Sequence, residues 1–302
     1  MFLNGLTMRV WVLTKKENLR SYQARRFKEE AEFLGIKLRH VCEEDFEIVE
    51  PSDYPDKIWR KGRYERVPDV LITRVSGMGY FASALVRLCQ RMGVKVMNSA
   101  NSIELAEDKL RTVQVLTARH LPIPKSILAK FPVDTDYIAD QLGFPMVMKT
   151  VFGGKGEGVL MFENMRQFKD VITVLQKSTE GKTNLIFQKF VESSFGRDIR
   201  VVVVADQAIV AVMRKGAEGN FKSNVHGGGT AHCYEMTDKI AKIAVDASQA
   251  LGLSISGVDL LFDGDSFVIG EVNSSPSFED SFEEATKVNV PRLILEHAKT
   301  LL

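Results

Sequence analysis

The sequence predicts a mixed fold, α/β in its N-terminal part and α+β in its C-terminal half. In residues 1–98, short β-branched apolar runs alternate with segments of helical periodicity, which is typical of a parallel α/β layer. In residues 188–302, apolar runs follow one another across short turns, which indicates antiparallel hairpins. A chain of 302 residues is also long enough for more than one structural unit.

The first predicted unit covers residues 1–98. Its two helices, near 19–34 and 81–92, are each followed by a glycine, Gly35 or Gly93, where a left-handed C-terminal cap is expected. The charged stretch 43–67 receives no prediction. The expected strands of this unit are 8–13, 36–41, 69–75 and 94–98.

The second predicted unit covers residues 99–187 and the third residues 188–302. The second opens with one long helix, 103–119, which Pro122 and Pro124 cannot continue. The other expected elements of the second unit are a helix at 134–142, a strand at 144–149, a run at 158–162 and a helix at 165–176. An extended segment is expected at 184–191. The expected elements of the third unit are then hairpins at 199–213 and 258–272, a helix at 238–251 and a terminal helix.

The composition excludes several classes of protein. Hydrophobic residues make up 45% and charged residues 26% of the chain, which is ordinary for a soluble globular protein. A net charge of +1 indicates neither a nucleic-acid nor a membrane partner. Cys42, Cys89 and Cys233 lie far apart, without the spacing of a disulfide framework or zinc site. Asn4 and Arg9 interrupt the apolar N-terminus, so a cytoplasmic location is expected.

The first motif is a buried run that ends at Lys149 and leads into a loop containing Gly153, Gly154, Gly156 and Gly158. Glycines let backbone N–H groups approach phosphate oxygens, and a lysine at the strand end adds a charge for the same anion. The pattern is neither a P-loop nor a dinucleotide fingerprint. It predicts either a phosphate-binding lid or a plain hairpin turn.

The second motif is a set of oxygen donors on the hairpin at 258–272. Asp259 interrupts one apolar strand, and Glu271 and Asn273 lie two residues apart on the other, so they share a face. Two carboxylates and an amide suit Mg²⁺, which takes few protein ligands together with substrate phosphates. The alternative is a solvated hairpin with ordinary acidic residues.

The third motif is a group of charges around the hairpin at 199–213. Asp198 and Arg200 share one strand face, and Arg214 and Lys215 end the next strand. Together they predict a cationic cradle for a ligand, although cross-strand Asp–Arg pairs also stabilise exposed sheets. The sequence continues into a polar segment that contains Glu218, Lys222, Asn224 and His226. For His226 alone, a structural role is the simpler interpretation.

The order of these motifs is more informative than any one of them. A lysine and glycine loop, an extended segment from Gln188 to Val191, an Asp-x-Arg strand, a basic loop and a final Asp with Glu-x-Asn follow one another. From about Asn98 to the C-terminus, this order resembles the ATP-grasp superfamily, and EGNFKSNVH at 218–226 looks like its RimK branch of glutamate ligases. The resemblance implies an ATP-grasp fold preceded by a parallel α/β domain.

The resemblance also implies roles for individual residues. ATP would be bound by a lysine pair, the glycine loop, a hinge, a ribose ligand and a polar loop: Lys109, Lys149, Gly153, Gly154, Gly156, Gly158, Gln188, Lys189, Phe190, Val191, Asp198, Lys222, Ser223 and Asn224. Arg200, Arg214 and Asn224 would be catalytic at the γ-phosphate. Asp259, Glu271 and Asn273 would hold two Mg²⁺ ions, for which Mn²⁺ can substitute.

The activity implied by the resemblance is ATP-dependent ligation of a carboxylate to an amine through an acyl-phosphate, with ADP as product. The chain departs from the glutamate ligases at Gly227, where they commonly have arginine, and at Ser277 and Phe278, where they have a glycine and an aliphatic residue. The carboxylate, whether metabolite, peptide or protein tail, the amine and any homo-oligomer therefore stay open. A kinase-like phosphotransferase and a non-catalytic nucleotide-binding regulator are the alternatives.

Overall fold

The computed structural model describes residues 7–50, 52–151, 158–180, 182–223, 229–278 and 280–302. Its N-terminal elements are β1 (Arg9–Thr14), α1 (Tyr22–Phe33), β2 (Lys37–Val41), β3 (Phe46–Glu47), β4 (Lys57–Arg60), β5 (Arg63–Arg66), β6 (Val70–Arg74), α2 (Tyr80–Arg91) and β7 (Lys95–Met97). Four of these strands form a parallel sheet in the order β2-β1-β6-β7. The predicted parallel layer is confirmed.

The stretch at 43–67, where the sequence pattern predicts no element, forms a small antiparallel sheet, β3-β4-β5. Buried Arg60 ties this sheet together, because its guanidinium donates to Asp45 at 3.0 Å and Glu65 at 3.2 Å. Charge pairing takes the place of the apolar alternation by which strands are usually recognised.

The prediction of a single long helix at 103–119 is wrong. The chain forms two helices there, α3 (Ala100–Glu107) and α4 (Lys109–Ala118), separated at Asp108. The Asp108 side chain accepts hydrogen bonds from the backbone N–H groups of Leu110 and Arg111, which makes it an N-cap. The break places Lys109 in the first turn of α4.

The next elements are β8 (Ser126–Lys130), α5 (Thr135–Leu142), β9 (Met146–Thr150), β10 (Val159–Phe162), α6 (Met165–Ser178) and β11 (Asn184–Lys189). The strands form an antiparallel sheet in the order β10-β9-β11-β8. The two helices are packed with this sheet around fully buried Phe168. β8 was not predicted, and the strand expected at 184–191 ends at Lys189.

The last elements are β12 (Arg197–Val204), β13 (Gln207–Lys215), β14 (Thr230–Tyr234), α7 (Asp238–Ala250), β15 (Ile255–Asp263), β16 (Ser266–Asn273), α8 (Asp280–Thr286) and α9 (Val290–Thr300). The strands form an antiparallel sheet in the order β14-β13-β12-β15-β16. Both predicted hairpins are confirmed. β14 was not predicted, and the terminal helix is two helices instead of one.

The N-terminal sheet and the five-stranded sheet share one core. Val12 and Ile72 of the first pack in the same buried cluster as Val202 of the second. Asn98 joins the two further, because its buried amide accepts from the N–H groups of Ser254 and Ile255 and donates to two carbonyl groups. Within the described ranges, every helix is too short or too polar to cross a bilayer.

Candidate active site

The candidate site is a cleft between the four-stranded and the five-stranded antiparallel sheets. It collects most of the site residues that the sequence predicts and that the structure describes. Those that line it are Lys109, Lys149, Gln188, Lys189, Phe190, Val191, Asp198, Arg214, Lys222, Ser223, Asp259 and Glu271. Residues from four separate stretches of sequence therefore meet at one place.

One part of the cleft is apolar on two sides. Val147 and Val159 come from the four-stranded sheet and Leu261 from the five-stranded sheet. Phe190 and Phe221 are in edge-to-face contact, with ring centroids 6.3 Å apart. Such walls suit a flat aromatic ligand such as a purine. The sequence did not single out the three aliphatic residues, since an apolar strand residue at a site resembles one in the core.

The hinge segment lies where β11 leaves its sheet. Gln188 is buried and accepts a hydrogen bond from the Lys149 ammonium at 2.7 Å, while its amide nitrogen donates to Ser126 at 2.9 Å. The strand ends at Lys189, and Phe190 and Val191 continue along the cleft. Gln188 thus fixes the lysine next to the segment expected to meet the adenine.

Two lysines converge on the opposite part of the cleft. Lys149 is half-buried as a whole, and its ammonium group is buried at the cleft. Burial lowers the pKa of Lys149, nearby Lys109 lowers it further, and the charges of Glu271 and Asp259 oppose both. Lys109 approaches Glu271 to 3.9 Å. An anion such as a phosphate would relieve the repulsion between the lysines.

Four alternating charges cross the floor of the five-stranded sheet. Arg214 donates to both oxygens of Asp198, at 2.7 and 2.5 Å, and lies 2.9 Å from an oxygen of Asp259. Arg200 donates to both oxygens of Asp259 at 2.7 Å. The strand register sets both bidentate pairs, since Asp198 lies opposite Arg214 and Arg200 opposite Asp259. Arg200 is not among the described residues that line the cleft, but it binds Asp259, which does line it.

The surroundings move the pKa values of this cluster in different directions. Burial would raise the pKa of Asp259, but the Arg200 and Arg214 charges outweigh burial and lower it. Burial, together with the charge of Asp259, raises the pKa of Asp198 despite its bonds to Arg214. The two carboxylates raise the pKa of Arg214 against the effect of burial. Arg214 is therefore a fixed cation between two acids.

The predicted metal ligands come together at the edge of the same cluster. Asp259 lies directly opposite Glu271 in the β15–β16 ladder, and Asn273 donates to Asp259 at 3.4 Å. Within the described ranges, no three His, Cys, Asp or Glu side chains form a metal-binding group; here the third donor would be an amide. A carboxylate has about four lone-pair sites, and in the part of the chain that the structure describes the Asp259 oxygen Oδ1 accepts one bond, from Arg200. The set therefore fits a hard divalent cation.

Several predicted residues lie outside the described ranges, namely Gly153, Gly154, Gly156, Asn224, Gly227 and His226. Gly158 is described and has a left-handed φ of +71°; a Cβ there would lie 2.7 Å from the Thr150 hydroxyl. Ser223 donates to Asp198 at 2.5 Å. Ser194 and Arg197 also line the cleft and were missed; an exposed arginine at a strand start carries no distinguishing signal.

Comparison with known proteins places this geometry in a family. Residues 106–298 match the model of the RimK-like ATP-grasp domain. A "Probable alpha-L-glutamate ligase" of Rhodopirellula baltica is 35% identical over 92% of this chain and 68% of its own length. A second "Probable alpha-L-glutamate ligase", from Legionella pneumophila strain Corby, is 30% identical over 96% of this chain and 95% of its own length. The ATP-grasp ligase PsnB, solved with a precursor variant, Mg and ADP, has the same fold. Its TM-score is 0.76 and its sequence identity 20%, and the alignment covers 98% of this chain and 99% of PsnB.

The fold and the cleft define an ATP-grasp protein. Within that class, the chain belongs to the RimK-like ATP-grasp family. The resemblance and the fold class predicted from the sequence are confirmed, and the chain is an ATP-dependent carboxylate–amine ligase. The kinase-like and non-catalytic alternatives have no support among these relatives.

Proposed function

We propose that this chain binds ATP and Mg²⁺ in the cleft, phosphorylates a substrate carboxylate and joins the acyl-phosphate to an amine. One observation carries the proposal: the lysine pair Lys109 and Lys149 lines the same cleft as the carboxylates Asp259 and Glu271, with Lys109 3.9 Å from Glu271. Cations for phosphate oxygens and oxygen ligands for Mg²⁺ are what a bound nucleotide triphosphate needs.

The nucleotide would lie along the cleft with its base between the two sheets. The adenine would pack between Val147, Val159 and Leu261 and meet the backbone from Gln188 to Val191. Asp198 would accept from a ribose hydroxyl, because within the described residues its oxygen Oδ1 accepts one bond, from Arg214. Lys109 and Lys149 would bind the α- and β-phosphates, under a lid formed by the loop 153–158.

Asp259, Glu271 and Asn273 would hold two Mg²⁺ ions, with Mn²⁺ able to replace them. When bound, such ions neutralise phosphate charge and orient the terminal phosphoryl group. Asp259 can bind a metal ion and the arginines together, since each of its two oxygens has two lone pairs and gives one of them to Arg200.

Arg214 and Arg200 would stabilise the charge on the phosphoryl group during transfer, together with Lys222 and Asn224. Arg214 is held by Asp198 and Asp259 before any substrate binds, so little reorganisation is needed when charge develops. The carboxylate oxygen attacks the γ-phosphorus, ADP leaves, and the amine then displaces phosphate from the acyl carbon. The chemistry requires no nucleophilic side chain.

The amine would be glutamate or another amino acid, and the carboxylate a peptide, a protein tail or a small metabolite. The names of the relatives support an amino acid as the amine substrate. Ser277 and Phe278 differ from the residues common in glutamate ligases, so the amino acid need not be glutamate. The three cysteines are free thiols, which fits a cytoplasmic enzyme. A homo-oligomer is compatible with this proposal.

The test is to incubate the purified chain with ATP, Mg²⁺ and pools of amino acids and carboxylates. We expect ADP and phosphate as nucleotide products and a new amide by mass spectrometry, both dependent on Mg²⁺. AMP and pyrophosphate as main products would contradict the proposal, and phosphorylated substrate without amide would indicate a kinase.

A further inference from the structure

A second cavity lies apart from the cleft, where the N-terminal sheet meets the segment that follows β16. Its volume is about 300 Å³, at the lower end for ligand pockets. Thr14, Arg74 and Ser76 line it from the carboxyl ends of parallel strands, and Ser275 and Ser277 line it from the opposite side. Hydroxyl groups are the most frequent polar groups of its lining, Arg74 is its arginine, and the exposed carboxylate of Asp280 also lies at the cavity.

Arg74 is the unusual residue of this cavity. It is 8% exposed, and its Nη2 donates to the side chain of Gln23 and the carbonyl of Pro276. Its Nε and Nη1 are buried and have no hydrogen-bond partner in the described part of the chain. The guanidinium carbon lies 4.8 Å from the centre of the Phe278 ring. Three N–H groups of a buried cation are therefore unsatisfied.

A buried cation without a counter-ion is unstable unless a ligand supplies the missing charge. Burial lowers the pKa of Arg74 to about 10, and no acid within the described ranges raises it. Burial also lowers the pKa of His40, which lines the same cavity and has an unpartnered Nε2, so that ring is neutral near pH 7. Arg74 is thus the buried positive charge of the described lining, and exposed Asp280 adds a negative one, so a singly charged carboxylate suits the cavity better than a doubly charged phosphate.

The cavity lies close to the proposed reaction centre. Ser275 follows Asn273 by two residues, so their Cα atoms are at most about 7 to 8 Å apart. Pro276 packs against Gly257, where a Cβ would meet the proline at 2.7 Å and the Arg200 Cδ at 3.7 Å. Arg200 in turn binds Asp259. The segment that lines the cavity at Ser275 and Ser277 therefore packs, through Pro276 and Gly257, next to the arginine that binds Asp259 of the cleft.

We infer that this cavity is a subsite for a carboxylate that stays unreacted, belonging to one of the two substrates and bound by Arg74. The inference rests on the proposed ligase function, which brings two substrates to the neighbouring cleft. The carboxylate comes either from the amino acid that supplies the amine or from a second acid group on the molecule that is phosphorylated. Arg74 would hold that molecule in position and select against analogues that lack the group.

The test uses a panel of L-amino acids, N-acetyl amino acids and dicarboxylates, each with a matched amide. Binding to the full chain is measured by calorimetry with AMPPNP and Mg²⁺ present, and by shifts in melting temperature. At least one carboxylate is expected to bind, its amide at least about tenfold more weakly. A requirement for the free amine assigns the subsite to the amine substrate, and equal binding of N-acetyl compounds assigns it to the acyl substrate.

The variant Arg74→Met is expected to weaken binding of that carboxylate by at least about tenfold, with a smaller loss for Arg74→Lys, which retains a charge. Arg66→Met, at an exposed arginine of β5, should bind as the natural chain does. If no member of the panel binds, or if both Arg74 variants bind it unchanged, the inference is overturned.

ATP binding separates this inference from the proposed function. Arg74 does not line the cleft, so Arg74→Met should bind ATP like the natural chain. A natural chain that binds the carboxylate but not ATP would refute the proposed function alone. Tight ATP binding and amide formation with unchanged substrate affinity in both Arg74 variants would refute the subsite alone.

Discussion

Arg214 and Arg74 are buried to the same degree, 9% and 8% exposed, but their surroundings differ. Arg214 lies between Asp198 and Asp259, and these carboxylates raise its pKa. Arg74 contacts a neutral amide, a carbonyl group and an aromatic ring, and burial lowers its pKa to about 10. Among the residues that the structure describes, two carboxylates compensate the charge of Arg214 and none compensates that of Arg74.

The difference separates two uses of a buried arginine. A cation that the protein itself compensates is oriented before substrates arrive, which suits stabilisation of a transferring phosphoryl group. A cation without a counter-ion gains its partner only when a ligand binds, which suits recognition. Variants of the two residues should therefore differ in stability and in ligand dependence.

The largest effect on stability is expected from Arg214→Met. The change leaves Asp198 and Asp259 without their shared cation in a buried position, which costs about 3–5 kcal/mol in the free energy of unfolding. Arg74→Met removes a charge that has no counter-ion and should cost clearly less. Urea denaturation measures both, with Arg66→Met as control at within about 0.5 kcal/mol. Equal losses for the two buried arginines would contradict the comparison.

A smaller effect is expected from Lys149→Met on ATP affinity. The ammonium group of Lys149 is a third buried charge, with neutral Gln188 as its hydrogen-bond partner. Loss of one charge-assisted phosphate contact should weaken ATP binding by about 1.5–3 kcal/mol, measured by calorimetry. Lys177→Met, at an exposed lysine of α6, is the matched control. Unchanged affinity in the Lys149 variant would show that this lysine does not meet the phosphates.

The sequence predicted what local pattern determines. Alternation and turn residues gave both hairpins, and Gly35 and Gly93 have the positive φ angles of C-terminal caps. The break at Asp108 was missed, because an acidic residue inside a helical pattern and an N-cap look alike until the backbone is seen. β8 was missed because it follows two prolines and its residues are largely half-exposed.

The site was predictable where polar residues interrupt apolar strands, as at Asp198, Asp259 and Glu271. The cavity around Arg74 was not predictable, because Pro276 and Phe278, which enclose that arginine, lie about two hundred residues further along the chain. An arginine at the end of a strand is normally exposed, and only the packing of distant segments buries it. Its role therefore depends on tertiary structure alone.

A pH dependence should distinguish Lys149 from an arginine. Because burial lowers the pKa of Lys149, its charge is complete below that lowered pKa and is lost as the pH rises through it. ATP affinity should then fall at alkaline pH, and in Lys149→Arg, whose side chain stays charged, the fall should move to higher pH. Calorimetric titrations from pH 7 to about pH 10 compare the two. Parallel curves would exclude Lys149 as the titrating group.

The smallest effect on stability is expected from Glu271→Gln. Glu271 is half-exposed, and its contact with Lys109 is long at 3.9 Å, so the free energy of unfolding should change by no more than about 0.5 kcal/mol. Mg²⁺-dependent ADP release should be abolished, because the amide keeps the shape but loses the charge that binds the cation. Glu296→Gln on α9 serves as control. A folded, fully active Glu271 variant would remove the metal site.

The most direct test of the ligase chemistry follows an oxygen atom. The carboxylate substrate found in the pool experiment is labelled with ¹⁸O on its carboxyl group and incubated with ATP, Mg²⁺ and the amine. An acyl-phosphate requires one labelled oxygen to pass into inorganic phosphate as the amide forms, which mass spectrometry of the phosphate detects. Unlabelled phosphate, or label in AMP, would contradict phosphoryl transfer to the carboxylate in this cleft.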